Sequence, residues 1–271
     1  SAGYNIVGGE LAATPVNATA ANITAGDTLF RSNTVAHASG AFVATPTQTV
    51  PTTPPPLSSA GQFFVEGDGT FFGGTSASIS IGTGQRGGAA GALTIQASGI
   101  ADTLTGDSQG GTARLTITGG SVTASAVTVE ANGLGTTGTS GNGGSGTGGT
   151  AEVLINADAT STVSLGALTV SAIGRGGNVS GSENLRGGDA LGGTASLTVD
   201  GGASAQFASI ELVASAEAGS ALSPSGTTGQ SGNARGNNVT RAATGGSTIN
   251  SSGGINLTAI GRGTAGENFG T

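Results

Sequence analysis

Several residue types are missing from this chain of 271 residues, and their absence limits what it can be. There is no cysteine, methionine, tryptophan or lysine. Without cysteine there is neither a disulfide framework nor a zinc site of the thiolate kind. One tyrosine and eight phenylalanines supply few large side chains, so we expect a thin hydrophobic core.

Charged residues are also scarce. Eight arginines oppose fifteen acidic residues, which gives a net charge of −7. This balance argues against nucleic acid and anionic membranes as partners, since both attract basic patches. No stretch approaches the roughly 18 consecutive apolar residues of a membrane-spanning helix, and no signal-peptide pattern is visible. We therefore expect no membrane-spanning segment, and either a signal that was removed or an internal piece of a longer protein.

Glycine, by contrast, is abundant, with 54 residues. Such abundance without a strict Gly-X-Y period is typical of low-complexity or disordered chains. Ordering a residue costs about 1 to 2 kcal/mol of backbone entropy. An ordered chain of this composition therefore needs dense backbone hydrogen bonding or contacts between subunits.

An internal repeat is the most informative feature of the sequence. The word Gly-Gly-Thr precedes a short alternating run four times, and a weaker fifth copy starts near Gly236. Successive starts lie 37, 38, 44 and 44 residues apart. The first runs cover residues 76–81, 113–118, 151–156 and 195–200. The second runs cover residues 92–97, 126–131, 167–172, 209–214 and 254–259.

Within each run the hydrophobic period is two, which is typical of a β-strand. One copy has too few apolar residues to bury a face alone, so the copies must stack, each adding a strand to a continuous sheet. Leu115, Val127, Leu168 and Ile255 are then expected in common columns. The sequence predicts an all-β fold: a parallel β-helix, or β-solenoid, of about five degenerate copies of 37–45 residues with Gly-rich insertions.

The corners of this coil and its insertions are also predicted. Gly-Gly, Asp-Gly-Gly and Ser-Ser-Gly-Gly between the runs are expected to supply positive φ values. Residues 163–165 and 205–207 are candidates for a third face. The insertions at 132–147, 174–191 and 216–235 are expected on one side of the solenoid, where they lie flat against each other or contact partners.

The first sixty residues follow a different pattern. Residues 45–59 form a Pro- and Thr-rich linker, and residues 21–24 and 40–44 are predicted strands outside the repeat. We predict two domains: 1–60, an extended segment that caps the coil or exchanges a strand with another subunit, and 61–271, the solenoid.

Two segments carry a resemblance to a known group of proteins. Residues 253–259 (GGINLTA) and 119–129 (GGSVTASAVTV) resemble repeats of bacterial filamentous haemagglutinins and autotransporter passenger domains. The resemblance extends over roughly residues 73–263. It implies a β-helix on a bacterial surface with a role in adhesion, aggregation or biofilm formation, and it carries over no binding residue. The period here is about twice the usual rung of that family.

Three words are similar to those of chymotrypsin-like serine proteases. They lie at residues 6–9, 34–37 and 106–110, with Ser108 as nucleophile and His37 as base. The interval between His37 and Ser108 is too short for that fold, and residues 106–110 occupy a turn between strands. The expected interpretation is a turn, and a solvated loop position for the only histidine.

The remaining candidate sites are weak. Residues 82–87 match Gly-x-Gly-x-x-Gly, but no helix follows to bind a pyrophosphate. Glu66 with Asp68, and Asp189, are fragments of a calcium pattern, so structural calcium is possible only as a minor alternative. The acid pairs Asp200 with Glu211 and Glu130 with Glu152 lack the aromatic platforms of a glycosidase. Rows of threonine such as Thr116 and Thr118 are too irregular for an ice-binding array.

From these observations we predict no catalytic, cofactor-binding or metal-binding residue, and no enzyme. The leading hypothesis is a structural subunit of an extracellular or cell-surface fibre or matrix. The protein is then expected to be bacterial, and either secreted or located at the cell surface. It self-assembles and has a role in adhesion or biofilm formation. The alternative is an adhesin module that binds a glycan or a host protein through the Gly-rich insertions.

Overall fold

The computed structural model describes residues 3–6, 9–11, 16–30, 32–46, 62–99, 101–102, 104–138, 141–180, 185–222 and 229–263. In these ranges the chain forms 31 strands and no helix. Every pair of strands is parallel, and partner strands come from successive passes of the chain. The protein is therefore all-β and built from parallel sheets.

The strands are short, and they are numbered here in chain order. The first twelve are β1 (Gly3–Ile6), β2 (Gly9–Leu11), β3 (Val16–Ala20), β4 (Asn22–Ala25), β5 (Thr28–Phe30), β6 (Thr34–Ala38), β7 (Ala41–Ala44), β8 (Gln62–Val65), β9 (Gly69–Gly73), β10 (Ser76–Ile81), β11 (Arg86–Ala89) and β12 (Ala92–Gln96). The next ten are β13 (Ser108–Gln109), β14 (Thr112–Ile117), β15 (Ser121–Glu130), β16 (Gly133–Leu134), β17 (Gly146–Thr147), β18 (Thr150–Asn156), β19 (Thr162–Ser171), β20 (Gly174–Arg175), β21 (Val179–Ser180) and β22 (Ala190–Leu191). The last nine are β23 (Thr194–Asp200), β24 (Ser204–Val213), β25 (Ala216–Glu217), β26 (Ala221–Leu222), β27 (Ala234–Arg235), β28 (Val239–Ala243), β29 (Thr248–Ser251), β30 (Ile255–Thr258) and β31 (Gly261–Arg262).

Two large sheets enclose the core. The first sheet has eight strands in the order β1-β4-β7-β10-β14-β18-β23-β28. The second sheet has thirteen strands and begins as two halves, β2-β5-β8-β11 and β3-β6-β9-β12. The long strands β15, β19 and β24 run through both halves, and β24 pairs with the two last strands, β29 and β30. Each pass of the chain thus adds one strand to the first sheet and one to each half of the second. We call the strands of one pass a layer. The described residues form eight layers.

The predicted columns of apolar side chains are confirmed. Leu115 lies between Ile79 and Val153 in the register of the first sheet. In the second sheet one column contains Val127, Leu168, Ile210 and Ile255. Apart from Ile255, these side chains are at most 1% exposed. Each contributes about 1.5 to 3 kcal/mol by leaving water, so the columns are the main source of stability.

Residues 163–165 and 205–207, the candidates for a third face, lie in one half of the second sheet. They are the first halves of β19 and β24, and they pair with each other in parallel. Val163, Leu165 and Phe207 are buried. Pairing is interrupted at Gly166, where the chain turns from one half of the second sheet to the other.

The prediction that residues 21–24 and 40–44 form strands outside the repeat is wrong. Strand β4 pairs with β7, and β7 pairs with β10, so these strands extend the first sheet. Likewise β5 pairs with β8 in the second sheet. Both large sheets therefore continue across residue 60 within one chain. Most of the predicted linker lies outside the described residues.

The first layers also contain the large side chains of the core. Phe71 packs against the rings of Phe30, Phe42 and Phe63, with ring centroids 6.1, 4.9 and 5.1 Å away. All four rings are fully buried. They fill the core of the second and third layers, on β5, β7, β8 and β9.

Glycine has two separate roles at the corners. Positive φ values occur at Gly120, at Gly201 with Gly202, and at Gly245 with Gly246, as predicted for corners. The Gly-Gly-Thr words and residues 253–254 do not adopt positive φ, so the prediction is wrong there. Glycine is required in these words by close approach: a Cβ on either glycine of the last three words would overlap a backbone atom of another segment of the chain.

Polar side chains bond the backbone of the next layer where the chain turns. The Oδ1 atom of Asn33 accepts a hydrogen bond from the Asp68 amide, and Oδ1 of Asp68 accepts one from the Ala92 amide. Asn132 does the same for the Ile173 amide. These side chains satisfy backbone donors that the strand ladders leave free.

Candidate functional site

The Gly-rich insertions form an ordered structure on one side of the two large sheets. They contain three small parallel sheets, with the orders β13-β17-β22-β27, β16-β20-β25-β31 and β21-β26. We call these ten strands and the segments between them the glycine-rich stack. The insertions thus lie on one side and against each other, as the sequence predicts.

Hydrogen bonds in the glycine-rich stack run in two directions. Within the small sheets, amides bond the corresponding segment of the next layer, as Gly135 does to the Arg175 carbonyl. Across the stack, a second series of amides donates hydrogen bonds to carbonyls of the opposite segment. This second series comprises Thr136 to Gly106, Gly144 to Thr136, Gly177 to Gly144, Gly188 to Gly177, Gly219 to Gly188 and Gly232 to Gly219, at 2.8 to 3.0 Å. The backbone itself therefore holds the stack together.

This crossed pattern requires glycine because the opposing backbones are nearly in contact. A Cβ atom on Gly177 would overlap the carbonyl of Thr136, and one on Gly188 would overlap the carbonyl of Gly144. The dense bonding meets the entropic cost of ordering glycine with backbone interactions rather than with side-chain burial.

The structure places the two candidate protease residues, Ser108 and His37, on different sheets. Ser108 lies on β13 in the glycine-rich stack, and its buried hydroxyl has no hydrogen-bond partner. His37 lies on β6 in the second sheet, where its exposed imidazole stacks on the ring of Phe72 with centroids 4.2 Å apart. A nucleophile requires a base within hydrogen-bond reach, and none of the described residues supplies one to Ser108.

Ser108 offers a direct test of this interpretation. The positions aligned with it in the small sheet are Gly146, Ala190 and Ala234. Replacing Ser108 with alanine removes an unpaired buried hydroxyl, and we expect the free energy of unfolding to rise by about 1 kcal/mol. Urea denaturation followed by circular dichroism measures this. Ser204→Ala is the control, because that hydroxyl is exposed and hydrogen-bonded; a loss of stability in Ser108→Ala would contradict the assignment.

The candidate calcium carboxylates bind protein groups. Asp68 accepts the Ala92 amide, and Asp189 forms an ion pair with Arg186 at 2.6 Å and accepts the Asn233 amide. Among the described residues, no group of three or more histidine, cysteine, aspartate or glutamate side chains is placed to hold a metal ion. The carboxylates of Asp68 and Asp189 therefore bind backbone amides and an arginine of the protein itself.

The two acid pairs are each divided between the large sheets. Glu152 lies on the first sheet and forms an ion pair with Arg114 at 2.6 Å. Glu130 lies on the second, where burial raises the pKa of its carboxyl. Asp200 and Glu211 are divided in the same way, on β23 and β24. Neither pair thus flanks a common cleft on one sheet.

Residues 82–87 form the corner between β10 and β11 and lead into a strand. The side chain of Gln85 accepts a hydrogen bond from the Gly82 amide and donates one to the Pro46 carbonyl.

The Thr116 column reads Ser80, Thr116, Leu154 and Thr198, so the leucine interrupts the row of hydroxyls. A groove of about 580 Å³ follows the Gly-Gly-Thr words beside the glycine-rich stack.

The most unusual surface lies at the end of the two large sheets. We call β28, β29 and β30 the C-terminal layer. Ile255 and Leu257 in this layer are 43% and 49% exposed, whereas Ile210 and Leu212, directly beneath them, are at most 1% exposed. Within the described residues no strand pairs with the outer edge of this layer.

No helix among the described residues is long and apolar enough to cross a membrane. Comparison of the chain with protein-family models, with curated proteins and with solved structures finds no match. Any function must therefore be argued from the geometry of the molecule itself.

Proposed function

We propose that the chain is a parallel β-helix that serves as a non-enzymatic structural subunit of an extracellular or cell-surface fibre or matrix. The observation that carries the proposal is the C-terminal layer, where apolar columns that are buried through the molecule reach the surface uncovered. Stacking a further layer on this end would bury them as the previous layers are buried. In this proposal, subunits assemble end to end.

Two physical terms favour such stacking. The edge strands present backbone donors and acceptors that a parallel strand can bond. Covering Ile255 and Leu257 would contribute up to about 1.5 to 3 kcal/mol for each side chain. These gains are modest against the cost of association, so we expect weak stacking that depends on protein concentration.

The experiment compares the chain with the double variant Ile255→Asp and Leu257→Asp. Sedimentation velocity and negative-stain electron microscopy over a range of concentrations should show end-to-end species in the original chain and their loss in the variant. The control is Asn256→Asp, which places one aspartate on the same strand, between the two inward positions. Monomers at every concentration, or equal association in all three proteins, would contradict the proposal.

A role in adhesion or biofilm formation and a bacterial surface location are part of this proposal, and they are supported only by the repeat and its resemblance. The alternative of an adhesin that acts through the insertions stays a prediction. The insertions form a hydrogen-bonded stack with the groove along its base, so a ligand would meet an ordered surface there.

A further inference from the structure

The last described segment, residues 229–263, differs in charge from the rest of the protein. Three of the eight arginines, Arg235, Arg241 and Arg262, lie between residues 229 and 263, and this segment contains no aspartate or glutamate. The chain as a whole has a net charge of −7. None of the three arginines forms an ion pair with a described residue. Arg241 lies in the C-terminal layer itself, and Arg235 and Arg262 lie on β27 and β31 of the glycine-rich stack, so this segment is basic.

Arg241 occupies a position that is apolar in every other described layer of its column. The aligned residues in preceding layers are Ile79, Leu115, Val153 and Leu197. Its neighbour Val239, two residues earlier on the same face of β28, packs against the core. Arg241 itself is exposed, and no described strand pairs with the outer edge of β28. A strand added to β28 would cover this guanidinium, and covering it without a counter-charge is costly.

Register partners in successive layers of this protein carry opposite charges at two places, and Arg262 lies at the end of one such column. It is aligned with Glu217, which forms an ion pair with Arg175 of the layer before. The column thus alternates from Arg175 to Glu217 to Arg262, and an acidic residue would continue the alternation. Arg114 and Glu152 are likewise register partners in successive layers.

We propose that β28 binds a partner strand that carries a carboxylate opposite Arg241 and an aliphatic side chain opposite Val239. The backbone of the edge supplies the hydrogen bonds of strand addition, and the guanidinium supplies a charge-assisted pair that selects the acidic strand. Arg241 is thereby the specificity-determining residue of this edge. The inference rests on the proposed stacking function, and it names the chemistry of the preferred partner.

A second copy of this chain fits the same edge less well. In the register of the first sheet, the described residues aligned with Arg241 are all apolar: Ala25, Ala44, Ile79, Leu115, Val153 and Leu197. A second copy stacked on β28 in this register therefore offers no carboxylate opposite Arg241 from these layers. Self-stacking is held weak by this mismatch, and inward-facing charge is a known means of limiting edge association.

The test uses Arg241→Leu, which restores the residue type of the column and is expected to fold. A fluorescent peptide that presents valine and glutamate two residues apart is titrated into both proteins and followed by anisotropy. We expect the peptide to bind Arg241→Leu about tenfold more weakly than the original chain, with binding to the original chain weakened further by salt. The same substitution should strengthen self-stacking in sedimentation velocity. Arg241→Lys, which keeps the charge, and a valine–lysine peptide are the controls.

Opposite effects of Arg241→Leu on the two kinds of association would support the inference. Equal binding of the acidic peptide to both proteins, or equal binding of the lysine peptide, would overturn it. If the proposed stacking fails, Ile255→Asp with Leu257→Asp leaves association unchanged. If only the present inference fails, that double variant still abolishes stacking while Arg241→Leu changes nothing.

Discussion

Gly188→Ala is expected to lower the free energy of unfolding by about 2 to 3 kcal/mol, because the added methyl group has no space. It would overlap the carbonyl oxygen of Gly144 and approach the amide of Gly177. Both groups are backbone atoms of the crossed hydrogen-bond series, so neither can rotate away. The segments must separate, and the bonds from Gly188 to Gly177 and from Gly219 to Gly188 lengthen or break.

The glycine-rich stack supplies its own control for this variant. Gly141 lies in the same stack, but an added Cβ there meets nothing within 4 Å and its φ is not positive. Gly141→Ala should therefore be neutral or stabilise by a few tenths of a kcal/mol through the unfolded state. Chemical denaturation measures both changes. Hydrogen exchange should show faster exchange around residues 174–191 in Gly188→Ala alone, and equal behaviour of the two variants would show that the crossed series carries no stability.

The strands of the repeat were predictable because their information lies in side chains. Alternation in residues 76–81 predicts which residues face inward, and the structure gives Ala77, Ile79 and Ile81 as buried. Stacking follows from the scarcity of apolar residues in one copy. The register then places Leu168 over Val127, as the aligned words indicate.

The glycine-rich stack was predictable only in outline. Composition indicates that insertions collect on one side, but Gly141 and Gly188 are the same residue in similar sequence, and only one of them is confined. Backbone hydrogen bonds do not depend on side-chain identity, so no residue pattern marks the crossed series.

The first layers were missed for a different reason. The strand of residues 41–44 lacks the Gly-Gly-Thr word, and its inward residue Phe42 stands where later layers have the much smaller alanine. A sequence repeat is recognised by shared residue types, whereas any apolar side chain that fills its part of the core can occupy a position in the column. The four phenylalanine rings fill that space, so the pattern of sizes changes while the pattern of faces is kept.

Phe71→Ala is expected to cause the largest loss of stability of any single change, about 3 to 5 kcal/mol. Its ring is fully buried and contacts the rings of Phe30, Phe42 and Phe63, which belong to the second and third layers. Truncation would leave a cavity between layers that the rigid backbone ladders cannot close. Thermal and urea denaturation measure the loss.

The neighbouring residue is a matched control of the same type on the same strand. Phe72 faces outward from β9, is only partly buried and stacks on His37 at the surface, so Phe72→Ala should cost about 1 kcal/mol or less. Equal losses in the two variants would contradict the assignment of faces. A single cooperative transition that shifts as a whole in Phe71→Ala would further show that layers on both sides of residue 60 unfold together, because the ring joins residues 30 and 42 to the sheets that follow.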